Sequence, residues 1–236
     1  MLLLRGRQVE SAARADQVAP AALAAGVAAV IPGWAVVSAG LTPVVLTAGW
    51  LVAGLVQPVS YSPMRQTVSV MAGHSGHDRW IMEGVLLAVG GCYLVTAAGL
   101  ACLDRPARTL LVVAGVCSVG IAASPVSPGG PTATHLAWTV LGALTIAVWP
   151  AVACRGAPVT PALISERGSL LASALFLAML GWVLVETQSG QVLGLAERLA
   201  TSTASTWPFV VALLRRRAAA ESGDRADQPD RTRLSA

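Results

Sequence analysis

Glu197 and Arg198 are adjacent, and they stand near the start of a long apolar segment. Ionised groups at the edge of hydrocarbon persist where they are paired or face a wet cavity. The two charges therefore mark either an interhelical ion-pair network or a ligand or proton site. At about 100° per residue, Gly194, Glu197, Arg198, Thr201 and Ser205 fall on one helix face roughly 100° wide. Side chains adjacent in sequence diverge on a helix, so each charge needs a partner on another element. Arg65 is the expected partner of Glu197, and Glu83 or Glu186 of Arg198. His135 has the chemistry of a general base or of a hydrogen-bonded structural imidazole. Ser69 is a nucleophile by type, but no nucleophile-elbow pattern surrounds it. His74-x-x-His77 followed by Asp78 offers zinc-like ligand types at a weak spacing, and Asp78 reads better as a helix cap. No metal and no cofactor is assigned.

The elements that position these groups follow from composition. Of 236 residues, 55% are hydrophobic and 12% charged, where soluble domains carry about 25% charged residues. Mean hydropathy is +0.66. No Asp, Glu, Lys or Arg occurs in residues 17–64, 84–103, 109–154, 168–185 or 199–214. Runs near 20 residues match the bilayer core. They lack the period-two alternation of barrel strands, so helices are the spanning element. The fold class is all-α, a polytopic membrane helix bundle with six transmembrane helices. The spans are 34–57, 81–103, 107–126, 135–154, 168–185 and 192–214. The longest run after the first span is divided by the breaker cluster at 124–131, Ser-Pro-Val-Ser-Pro-Gly-Gly-Pro. Residues 1–33 form an N-terminal extension, cytoplasmic or interfacial; the apolar stretch 18–31 is short for a span. Residues 215–236 form a disordered tail, polar and Pro-containing in its last part.

All sixteen basic residues are Arg. Arg5, Arg7, Arg14, Arg105, Arg108, Arg155, Arg167, Arg215, Arg216 and Arg217 border one side of the spans. The positive-inside rule then puts both termini in the cytoplasm of a multi-pass cell-membrane protein. The net charge of +4 reflects this asymmetry and excludes nothing but a nucleic-acid partner, for which no basic patch interleaved with aromatics exists. Trp34, Trp80, Trp138 and Trp207 read as an interfacial belt, and Trp50, Trp149 and Trp182 as packing residues. The four cysteines read as small buried hydrophobes. Gly90, Gly91, Gly99, Gly115 and Gly120, with Ala143, Ala147, Ala151, Ala174 and Ala178, read as close-packing points between helices.

On the far side, residues 58–80, 124–134 and 187–193 meet. Ser62-Pro63 opens a short interfacial helix that Gly73 ends, with Met64, Val68 and Met71 facing down. The stretch 57–69, QPVSYSPMRQTVS, resembles the segment after the first helix of the bacterial family called domain of unknown function 998. Asp78-Arg79-Trp80-Ile81-Met82 and residues 91–97 are similar to its second helix, as actinobacterial members have it. The Pro-rich loop ending at His135, and 194–198 with Trp207-Pro208, are similar to its later segments. The resemblance covers residues 34–214 and implies six membrane helices and no activity. It implies Arg65, Ser69, His135, Glu197 and Arg198 as the polar positions; Thr201 joins them on the stripe.

Three functions remain open on the sequence. An outward polar pocket binds or transports a small amphiphile or lipid headgroup, held by Arg65, Ser69, His135, Glu197, Arg198 and Thr201. Alternatively, a structural or accessory subunit uses its charges only to hold helices. A third reading is a membrane-embedded hydrolase-like enzyme with His135 as base and Glu197 as acid or orienter. Membrane lipid is the expected partner, and oligomeric state is not encoded in any motif.

Overall fold

Each apolar run becomes a helix because a backbone inside hydrocarbon must satisfy its own hydrogen bonds. A computed structural model describes residues 31–74, 76–154 and 161–226. Residues 1–30 of the expected N-terminal extension lie outside them, as do residues 227–236 of the tail. The elements are α1 (Gly33–Leu55), α2 (Val68–Met71), α3 (Trp80–Gly99), α4 (Arg105–Ala123), α5 (Ala133–Ala153), a 3₁₀ turn (Ala162–Ile164), α6 (Glu166–Ser189) and α7 (Leu193–Ala226). Among the described residues there is no strand, only an isolated bridge between Ser127 and Gly130. That bridge lies in the breaker loop, where Gly130 takes φ 111°.

Five helices, α1 and α3 to α6, are long and apolar enough to cross a membrane. The sixth long helix, α7, is less apolar because Thr201, Ser202, Thr203, Ser205 and Thr206 fall in its middle. It packs against both α1 and α6, completing a polytopic helical bundle. Large apolar side chains such as Val37, Leu55, Leu171 and Leu184 point outward. Small and polar ones point inward: Ala35, Ser38, Ala39 and Thr42 on α1, and Ala196, Ala200, Ala204 and Ser205 on α7. A soluble bundle would reverse this pattern.

Close backbone approach holds neighbours together. A Cβ on Gly90 would lie 2.9 Å from the Gly115 carbonyl oxygen, and one on Gly115 would lie 2.9 Å from that of Gly90, so α3 and α4 cross there. Gly99 is closed over by Ala35 and Trp34. Gly91, expected at such a contact, faces open space, and Ala174 and Ala178 are exposed while Ala172, Ser173 and Phe176 pack inward. The α6 stripe is thus displaced by two residues from the one the spacing suggested. Trp207 also departs from the belt. It lies 14 residues into α7, about 21 Å along the axis, and packs edge-on against Phe176 with centroids 6.1 Å apart.

Chain direction sorts the loops onto two ends. The connection from α1 to α3, the breaker loop and the α6–α7 turn share one end. The α3–α4 and α5–α6 connections share the other. At this second end Arg215 donates from Nη2 to the Ala153 carbonyl at 2.8 Å. The tail does not begin at Arg215, because α7 stays helical to Ala226.

Candidate functional site

The first end is knitted by side chain to backbone bonds. Gln57 donates from Nε2 to the carbonyls of Ala53 and His77, both at 2.9 Å, and accepts from the His77 N–H at 3.2 Å. The His74 N–H donates to the Val126 carbonyl at 2.9 Å. These bonds bring the connection after α1 and the breaker loop together. Among the described residues no three His, Cys, Asp or Glu side chains converge as metal ligands. Asp78 does not cap α3 with its side chain; it sits at φ 48°, and Arg79 is the capping residue.

The helix expected from Ser62 is broken in two. Ser62 opens a single turn, its carbonyl accepting from the Gln66 N–H at 2.8 Å, and α2 then starts afresh after Thr67. The reason is the fate of the intervening carbonyls. Pro63 and Gln66 turn theirs toward Arg198, and Met64 gives its own to the Leu195 N–H at 3.1 Å. Thr67, extended at φ −67° and ψ 161°, interrupts the ladder, so these carbonyls meet donors on α7 instead of the N–H groups four residues on. Val68 and Met71 are buried against Ala53, Ala72 and Met82, while Met64 is 45% exposed. This segment is therefore a plug seated on α1 and α3 rather than a helix lying in the interface.

Arg198 is 5% exposed. Its Nη1 donates to the carbonyls of Pro63 at 2.7 Å, Gln66 at 2.9 Å and Gly194 at 2.8 Å. Its Nη2 donates to the Tyr61 hydroxyl, and the guanidinium carbon lies 5.4 Å from the Trp50 ring centroid. Arginine suits this cage because its fork presents five fixed donors, and a desolvated cation over an indole face gains about 2 kcal/mol. Gly194 is indispensable to the approach: a Cβ there would collide with the Gln66 and Pro63 carbonyl oxygens. Burial is the main influence on the Tyr61 hydroxyl and pushes its pKa up, against the lowering effect of Arg198.

Glu197 accepts the Val68 N–H on Oε2 at 2.6 Å. It thereby caps the first residue of α2 from across the bundle. The expected ion pairs do not form. Arg65 is exposed, Glu83 pairs with Arg79 at 3.5 Å, and Glu186 accepts from the Ser189 hydroxyl and the Val192 N–H. The Arg79–Glu83 pair is the one salt bridge among the described residues. Both α7 charges are answered by main chain of the same connection, which no charge pattern reveals.

The remaining site residues are separate from the cage. Thr201 donates back to the Glu197 carbonyl at 2.8 Å. Ser69 is half-buried. His135 is 2% exposed; its Nδ1 lies 2.7 Å from the Ser124 carbonyl and its N–H donates to Thr132 Oγ1 at 3.2 Å. It ties the end of α4 to the start of α5, and no hydrogen bond joins it to Glu197 among the described residues. Sequence reasoning missed Tyr61, Gly194 as a contact point, and Trp50 as the floor of the cage. The available signals were a lone tyrosine in a polar connection and a glycine one turn before a buried arginine.

A groove of about 650 Å³ runs between α6 and α7, lined by Leu171, Ala172, Leu175, Phe176, Thr203 and Trp207, among others. It reaches Leu163 and Gly168 at the end opposite the cage.

Inverted polarity, long apolar helices and a buried arginine caged by carbonyls define a polytopic helical membrane protein. The chain belongs to the family described as "Protein of unknown function (DUF998)", whose model matches residues 39–214. Neither a curated protein nor a solved structure matches it.

Proposed function

We propose that this protein is a non-catalytic binding protein for a membrane amphiphile, with its tail held between α6 and α7. The observation that carries this reading is the groove itself. Its 650 Å³ falls within the usual range of small-molecule sites, about 300–1,000 Å³. Its walls are mostly apolar, with Ser202, Thr203 and Thr206 supplying hydroxyls. It lies between two helices whose outer faces carry Leu171, Leu175 and Leu199, so a ligand enters from the bilayer rather than through the connections at the cage end. Arg198 serves as the clamp that sets the position of α7. The arginine-rich end faces the cytoplasm, with both termini there, on the strength of the arginine distribution.

Ala172→Phe with Thr203→Phe fills the groove. Native mass spectrometry of protein extracted in mild detergent should show an amphiphile co-purifying with the wild type and lost from the double variant. Equal retention by both would reject the groove as the site. The second reading, an accessory subunit without a ligand, is favoured by the hydrogen bonds that both Arg198 Nη groups already make within the protein. It predicts the same bound species in the wild type and in the double variant.

A further inference from the structure

A second depression, about 460 Å³, lies between α3 and α4 at the end opposite the cage. One wall is apolar: Leu94, Ala97, Ala98 and Val112. Leu94 is 39% and Val112 40% exposed, on faces that meet lipid when these two helices span. The mouth is cationic: Arg105 and Arg108, with the Thr109 hydroxyl beside them. Arg105 is exposed and Arg108 half-buried. Among the described residues Arg108 spends only its Nε on the protein, donating to the Ala97 carbonyl at 2.9 Å; that bond fixes the guanidinium against the apolar wall. Neither arginine has a carboxylate partner among the described residues. Asp104, next to Arg105, precedes α4 without capping it by its side chain.

The geometry points to a binding site for an anionic glycerophospholipid here, its phosphate held by Arg105, Arg108 and Thr109 and one acyl chain laid along Leu94, Ala98 and Val112. Two uncompensated guanidinium groups at the rim of a lipid-facing trough complement a headgroup phosphate with net negative charge. Basic pockets between membrane helices recognise lipids in this manner. A free phosphate would leave the apolar half of the trough without an occupant. A zwitterionic lipid would bring its own cation against the arginines. This site is independent of the α6–α7 groove.

The test uses the full chain in mild detergent and native mass spectrometry with phosphatidylglycerol and phosphatidylcholine of identical acyl chains. The wild type should bind phosphatidylglycerol about tenfold or more tightly, in line with the gain per arginine near an anionic surface. Arg105→Gln with Arg108→Gln should reduce it to the phosphatidylcholine level. Arg105→Gln alone removes no side-chain hydrogen bond among the described residues and should remove part of the preference while leaving Tm unchanged. Arg216→Gln with Arg217→Gln, at the same end but off the trough, should preserve the preference. So should Ala172→Phe with Thr203→Phe, whose failure to hold amphiphile concerns the other groove alone. A wild type that does not discriminate the two lipids, or an Arg216/Arg217 variant that loses as much preference as the Arg105/Arg108 variant, overturns the site.

Discussion

Arg198→Met is the perturbation that separates a clamp from a ligand site. The methionine fills similar volume but strands the Pro63 and Gln66 carbonyls, which Arg198 holds at 2.7 and 2.9 Å. A fully buried orphan costs about 1–3 kcal/mol; Pro63 is exposed and Gln66 half-buried, so each of these falls toward the lower end. The Gly194 carbonyl keeps its place in the helical ladder, and half-buried Tyr61 regains water. Removing the charge also removes a desolvation penalty, which offsets part of the loss. A net cost of about 2–4 kcal/mol for releasing the plug remains, equivalent to roughly thirtyfold to a thousandfold in local opening. Hydrogen exchange in residues 62–71 reads this directly, because local opening is measured without unfolding the helices. Protection should fall by that factor there and stay unchanged in α4 and α5. Arg198→Lys keeps the charge but not the fork and should fall between, at about 1–2 kcal/mol. Unchanged exchange in residues 62–71 of Arg198→Met would refute the cage as the clamp.

Glu197→Gln retains an acceptor for the Val68 N–H and should cost under about 1 kcal/mol, whereas Glu197→Ala should cost about 1–2 kcal/mol, as loss of a helix cap does; exchange at Val68 checks both. Gly194→Ala drives a methyl into the Pro63 and Gln66 carbonyls and should lower stability by about 1–3 kcal/mol, seen as a lower Tm in detergent. His135→Ala should loosen residues 124–132 and leave residues 62–71 protected, since its bond runs to Ser124; proteolysis within the breaker loop reports it. The Tyr61 pKa is raised, chiefly by burial, so the folded state holds the phenolic proton more tightly than the unfolded one. The resulting stability is fully present below the unfolded value, about 10, and is lost as pH rises through the folded one. Protection of residues 62–71 should therefore fall at high pH, and Tyr61→Phe should abolish that dependence.

The bundle was legible because hydrocarbon imposes one rule on every backbone. Uncharged runs near the bilayer thickness became α1 and α3 to α6, and the Pro-Gly cluster at 124–131 became a loop. The polar stripe of α7 was equally visible, since Arg198 and Ser205 are both buried. Its partners were not. Charge patterns point to other charges, yet Arg198 and Glu197 are met by carbonyls and an amide, which every residue carries. The same blindness concealed why the segment after Ser62 fails as a helix. His135 was identifiable as polar and special, but its bond to Ser124 depends on how α4 ends. Trp207 misled because its composition suits an interface, whereas the first residue of its helix, Leu193, sets its depth.

The connection after α1 sits upon the start of α7. Met64 and Leu195 meet there through a backbone bond of 3.1 Å. With the four native cysteines replaced, Met64→Cys with Leu195→Cys should be joined by a short bifunctional thiol reagent in intact membranes, and adding Arg198→Met should sharply slow the joining. Absence of cross-linking with Arg198 in place, or a rate indifferent to Arg198, would contradict the clamp.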